Sequence, residues 1–316
     1  MKKTVILGIT IALFAAGLFW LTFERLAIEN HEVATPGEIL EILESRQRYD
    51  GSHIDDLVAM GPKASGHIRE ALFMEPRWPY VLVRALCTLG DQDSINALVD
   101  YVRIESRRPE GENESHANSR AVVVGEAARC LTGLPPSSWS VPTELVTLAS
   151  DNRVAPGVRV YLSAIGCRYG NETQSKEAEE RLLKFYSERS EYPRNSLTGF
   201  APSSVLYSLA ACGTDKANLI ALEKLEFQSH PYEVIEIIKG FEVSNAEGAY
   251  EAIERLVTQE GQILDIRIES GLYLLRSKRK LQADVRAVLS ETVAEARQYE
   301  NYPPTVDLIS AALVAM

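Results

Sequence analysis

The stretch Leu82-Val83-Arg84-Ala85-Leu86-Cys87-Thr88-Leu89-Gly90-Asp91 decides how the rest of the chain is read. Leu82, Ala85, Leu86 and Leu89 fall at i, i+3, i+4 and i+7, so they form one apolar stripe along a helix. Gly90 then stops that helix. Ile95, Leu98, Val99 and Val102 repeat the spacing at once, which makes the segment two helices joined by a tight turn. The same ending recurs downstream. Arg129-Cys130-Leu131-Thr132-Gly133 and Gly166-Cys167-Arg168-Tyr169-Gly170 again place Gly three residues after Cys, and Ala211-Cys212-Gly213 is a shortened copy. The cysteines are 43, 37 and 45 residues apart, the period of a two-helix repeat. One such pair cannot bury its own stripe, so successive pairs must cover one another.

Further stripes run through Val158, Tyr161, Leu162 and Ile165, and through Ala249, Ala252, Ile253 and Leu256. Gly61-Pro62, Gly90, Gly133, Pro135-Pro136, Gly170, Gly213 and Pro303-Pro304 punctuate them as helix stops and starts. Sustained strand-like alternation is hard to find. The spacing therefore predicts an all-α chain.

At this point the chain resembles a known family. Leu57-Val58-Ala59-Met60-Gly61-Pro62, then Ile68 to Leu72, Arg84 to Asp91 and Ile95 to Tyr101, are similar to bacterial HEAT repeats. The resemblance covers about residues 54–104, and beyond 119 only the periodicity continues. In that family a Leu-Gly-Asp turn joins the two helices of a pair, its Asp bonding along the stack with an Arg ladder nearby. Asp91 matches that position and Asp215 matches it loosely; the turns after Gly133 and Gly170 have no Asp there. The resemblance implies a right-handed α-α superhelix, an armadillo-like solenoid, and for most members a protein-binding role without chemistry. An enzymatic branch, the deoxyhypusine hydroxylases, holds iron with repeated His-Glu pairs. This chain has one such pair, His31-Glu32, which departs from that pattern.

The N-terminus is of another kind. Lys2 and Lys3 precede Thr4 to Phe23, twenty residues without a charge. As a helix that run is roughly 30 Å long, the thickness of a bilayer's hydrocarbon. The flanking lysines place the N-terminus in the cytoplasm and the rest outside. Residues 1–23 are thus expected to be a transmembrane anchor in the cell membrane, 24–36 a linker, and 37–316 an extracytoplasmic, periplasmic repeat domain. The competing reading is a signal peptide cut near Ala15-Ala16-Gly17, which would release the domain.

Charge narrows the partner. The chain carries a net −11, and beyond Phe23 there are 31 basic against 44 acidic residues. Phosphate binding needs clustered cations, so nucleic acid is excluded as a partner. Two segments interrupt the repeats, Glu105 to Ser119 and Ser190 to Ser203; they read either as disordered polar spacers or as a binding edge, since insertions at equivalent places in a stack emerge on one side. Trp78 and Trp139, each beside prolines at a turn, and Tyr192 and Phe200 in the second insertion, are the candidate partner-binding residues. The C-terminal helix after Pro303-Pro304 is apolar nearly all round, which makes it a candidate for homo-oligomer contact.

Motifs for chemistry are missing. The sequence holds no phosphate loop, dinucleotide fingerprint, Gly-x-Ser-x-Gly elbow or Cys-x-x-Cys. No two histidines share a helical face, so no catalytic residue, metal or cofactor is expected. His53 with Asp55 and Asp56 reads as a solvated helix start, the carboxylates favouring the dipole. Arg276-Ser277-Lys278-Arg279-Lys280 reads as a solvated C-terminal cap. Cys87, Cys130, Cys167 and Cys212 are expected to be free core thiols, because stacked helices lie 8–10 Å apart and a disulfide needs Cα atoms within about 7 Å. A disulfide in an oxidising compartment is the alternative. Together these features predict a membrane-anchored helical-repeat scaffold that binds a protein and performs no catalysis. A HEAT-like lyase, with a pocket on its concave face, is the competing class.

Overall fold

The computed structural model describes residues 34–44, 52–74, 76, 78–108, 114–135, 140–188, 201–227 and 230–315. Every regular element among them is a helix. The chain divides into two compact units, Met1–Leu89 and Gly90–Met316. The N-terminal anchor, residues 190–200 of the second insertion and residues 109–113 of the first lie outside the described residues, and so does the shared-edge expectation; Glu114 to Ser119, expected to interrupt the repeats, are helical.

In the first unit α1 (Pro36–Glu44), α2 (Ser52–Ala59), a 3-10 turn (Pro62–Ala64), α3 (Ser65–Phe73) and α4 (Pro79–Leu89) pack as two interleaved pairs, α1 on α3 and α2 on α4. A capping box opens α1: the Glu38 backbone N–H donates to Thr35 Oγ1 at 3.3 Å, and the Thr35 N–H donates to Glu38 Oε2 at 2.7 Å. The Thr35 backbone N–H holds the Glu38 carboxyl below its usual range. Gly61, at φ 73°, ends the turn after α2, and Pro62 begins the next element. Ile39, Leu43, Leu57, Ile68, Leu82 and Leu86 form the buried core.

The second unit starts with α5 (Gln92–Glu105), which Asp91 caps by accepting from the Asp93 and Ser94 N–H groups at 3.0 Å. There follow α6 (Glu114–Gly133), α7 (Thr143–Leu148), α8 (Pro156–Tyr169), α9 (Glu172–Glu188), α10 (Pro202–Cys212) and α11 (Asp215–Phe227). The chain ends with α12 (Pro231–Ser244), α13 (Ala249–Thr258), α14 (Leu264–Arg276), α15 (Ala283–Ala296) and α16 (Thr305–Ala315). Contacts between alternate helices set out two rows. Helices α6, α8, α10, α12, α14 and α16 make the first row, while α5 on α7 and α11 on α13 on α15 belong to the second.

The rows bury their side chains differently. From Ser204 to Cys212 every residue of α10 is buried, and in α8 every residue from Gly157 to Cys167 except Arg159. These helices have row neighbours on both flanks and a second-row helix behind. In α9 only Ala178, Leu182 and Phe185 are buried, a single stripe with water on the other side. Where α12 crosses α10 the backbones nearly touch. A Cβ on Gly240 would stand 2.4 Å from the Tyr207 carbonyl oxygen and 2.6 Å from Ala210 Cβ.

The cysteines correct the expectation of free thiols. Cys167 and Cys212, at the C-terminal ends of α8 and α10, form a disulfide with Cα atoms 5.1 Å apart, and no described cysteine is free. The 8–10 Å figure separates helix axes. Each Cα sits about 2.3 Å off its axis, so facing Cα atoms of neighbours come within roughly 3.4–5.4 Å.

Candidate functional site

Two places in the second unit gather side chains that could act on another molecule. The first runs across the first row. Arg129 of α6 donates to Glu236 of α12, Nη2 lying 3.0 Å from Oε2 and 3.1 Å from Oε1. Its guanidinium lies 4.7 Å from the ring centroid of Tyr207, on α10. Tyr207 meets Tyr161 of α8 edge to face at 5.8 Å, and the Tyr161 hydroxyl donates to Ser204 Oγ at 3.0 Å. Lys239 extends the chain of contacts, 3.9 Å from Glu236 and 3.8 Å from Glu269 of α14.

Burial sets the electrostatics of this network. It pushes the Tyr161 phenol up to about 12 and the Tyr207 phenol higher still, against the opposing pull of Arg129. Burial also pulls the Arg129 guanidinium down, but Glu236, Tyr161 and Glu126 more than offset it, so Arg129 is a fixed cation. At neutral pH both phenols of the network are neutral and Arg129 is charged. Its groups hold one another. From Arg129 to Glu269 it joins five helices.

The second place is a groove of about 760 Å³ between α11 and α13 in the second row. Ala217, Ala221 and Leu225 turn α11 inward at a spacing of four. Leu219 and Phe227 fall off that stripe and stand 67% and 77% exposed along the groove, with Leu222 between them. Gly248 at φ 79° opens α13 and keeps the groove end low, where Leu222 Cδ1 is its nearest neighbour. Glu223, Glu226, Glu247 and Glu251 rim the groove with Arg255 and Arg279. Arg255 pairs with Glu226 at 2.7 Å and Arg279 with Glu251 at 3.0 Å, which cancels both cations. Glu223 and Glu247 have no ion-pair partner among the described residues.

The residues singled out from sequence fare unevenly. Trp78 is half-buried at the start of α4, and its carbonyl accepts the Val81 N–H at 3.1 Å. Trp139, Tyr192 and Phe200 lie outside the described residues. His53 is buried, 3% exposed, while Asp55 and Asp56 are exposed beside it; the solvated helix start holds for the carboxylates and is corrected for the imidazole. His53 falls one turn before Leu57 on the buried face of α2, and that stripe takes it inward. Among the described residues no three His, Cys, Asp or Glu side chains converge as metal ligands. The basic run does not simply cap α14: Arg276 pairs with Glu242 of α12 at 2.9 Å, and Arg279 lies over the Tyr250 ring at 4.6 Å. In α16 Val306 and Ile309 are buried, whereas Leu308 and Val314 are 59% and 86% exposed.

The groove was missed, although its signal was present in the sequence. Leu219 and Phe227 are large apolar residues out of phase with their own helix's stripe. Among the described residues no helix is long and apolar enough to cross a membrane. The chain shows no significant match to any protein-family model, curated protein or solved structure.

Proposed function

We propose that this chain is a membrane-anchored, extracytoplasmic helical-repeat scaffold that binds a protein partner and has no catalysis of its own. The observation that carries the reading is the groove between α11 and α13, which exposes Leu219 and Phe227 inside a carboxylate rim. Large apolar side chains held in a concavity and framed by charge are the anatomy of an interface core with its polar rim. Disulfide-bonded cysteines fit an oxidising compartment, on the far side of the membrane from Lys2 and Lys3.

A HEAT-like superhelix is the architecture that suits this role. Helices α6 and α12 stand three steps apart in the first row, which in a straight row would separate them by roughly 24–30 Å. The Arg129–Glu236 pair, closed at 3.0 Å, supports a row that curls. The lyase alternative draws nothing from this network, whose polar groups are occupied with each other.

Cross-linking in the native membrane tests the proposal. A photoreactive amino acid placed at Leu219, and in separate chains at exposed positions such as Glu172 and Leu308, is expected to give at least one discrete protein adduct. Adducts at none of these positions, with the chain inserted and folded, would sink the scaffold reading.

A further inference from the structure

We propose that the groove between α11 and α13 takes a cationic amphipathic segment of a partner protein, whose apolar side chains seat against Leu219, Leu222 and Phe227 while its Lys or Arg residues pair with Glu223 and Glu247. The inference rests on the scaffold reading and adds the site and the partner's chemistry.

The groove's own composition selects this occupant. Its wall is apolar, so a purely polar ligand would leave Leu219 and Phe227 unsatisfied. Its rim carries four carboxylates against two guanidinium groups, and the two cations are already engaged with Glu226 and Glu251. What remains for a partner is two uncommitted carboxylates, Glu223 one turn after Leu219 on α11 and Glu247 at the entry to α13. A cation brought near them gains attraction without first breaking an existing pair. An anionic segment would meet net repulsion, since both guanidinium groups are already paired. About 760 Å³ is enough for several side chains and lies within the range of ligand sites.

The chain's own composition argues for a different protein in the groove. Beyond Phe23 a second copy brings an excess of 13 negative charges. The exposed apolar helix α16, the other candidate for contact, carries one acidic side chain, Asp307, and no Lys or Arg, so it offers no cation to Glu223 or Glu247.

Peptides of defined sequence test this on the full chain in zwitterionic nanodiscs, with empty nanodiscs as the blank. Fluorescently labelled twelve-residue peptides would be compared by anisotropy: one of Lys and Leu at helical spacing, one with Glu for Lys, and one with Ser for Leu. The Lys/Leu peptide is expected to bind at least tenfold more tightly than either of the others, and more weakly as ionic strength rises. The double variants Glu223→Lys/Glu247→Lys and Leu219→Ser/Phe227→Ser should each weaken it at least tenfold, while Glu172→Lys on α9 leaves it unchanged. All these positions are exposed, so circular dichroism melts should match the parent chain. Equal binding of the Glu/Leu peptide, or no loss in either groove variant, overturns the inference. A dimer abolished by Glu223→Lys/Glu247→Lys would overturn it too, by making the occupant a second copy. Adducts that persist from Glu172 or Leu308 but do not involve the groove would refute the site and leave the scaffold standing.

Discussion

The two helix rows of the second unit solve the same problem in opposite ways. First-row helices α8 and α10 are buried over most of their length, and some of their polar side chains pair inside, as with Tyr161 on Ser204. By contrast α9, which packs on α8 and α10, and the second-row helix α11 bury one stripe and give the rest to water. The difference follows from the number of neighbours. A helix flanked on both sides and backed by a third has no free face; a helix on the outer layer has one. The first row therefore has the larger share of fully enclosed side chains, and the second row keeps a face open to water.

If that division holds, damage should be large in the first row and small in the second. The largest effect is expected from the tie between α8 and α10. Replacing Cys167 and Cys212 by Ala opens a link between residues 45 apart and should lower unfolding stability by about 4 kcal/mol, read by chemical denaturation. Labelling the unfolded parent chain with a thiol reagent should find no free thiol at either position.

Next comes the clamp across the row. Arg129→Met leaves the Glu236 carboxylate, 8% exposed, with only Lys239 at 3.9 Å opposite it, and should cost about 2 kcal/mol after allowance for the partial exposure of Arg129. The double variant Arg129→Met/Glu236→Leu should recover much of that loss, because no lone buried charge is left. No recovery would mean that the pair itself, and not its isolation, sets the geometry of the row.

A pH titration resolves a smaller effect. Burial raises the folded Tyr161 phenol to about 12 from an ordinary value of 10.0, so the neutral form is favoured in the native state. Its contribution is fully present below pH 10 and is lost as pH rises through 12. Tyrosinate absorbance should show Tyr161 and Tyr207 ionising only as the chain unfolds in alkali. Ionisation of either at pH 10 with the fold intact would contradict a closed first row. The smallest effect belongs to the second row. Leu219→Ala should change stability by less than about 0.5 kcal/mol, since its side chain is 67% exposed. A loss comparable with that of Arg129→Met would erase the distinction between the rows.

Helix positions were largely legible because the signals that set them are local. Gly90, Gly133 and Gly213 stand at helix ends as expected. The stripe Val158, Tyr161, Leu162 and Ile165 found the buried face of α8 but undercounted it. Val160, Ser163, Ala164 and Gly166 are buried as well, and their small size was the clue to neighbours on other sides. The groove was less legible, because Leu219 and Phe227 show only as residues out of phase until α13 is placed beside α11.

Sequence alone determined that the described chain is helical and where several of its helices stop. Apolar period, capping residues and helix breakers act within a few residues, so they can be read in order along the chain. Only the tertiary structure decided which cysteines meet, which helices lose every free face, and where Arg129 finds its carboxylate 107 residues away. Those outcomes depend on axis spacing and on the turn taken from one pair to the next. Both are set by the sum of side-chain contacts between helices, which no single stretch of sequence contains.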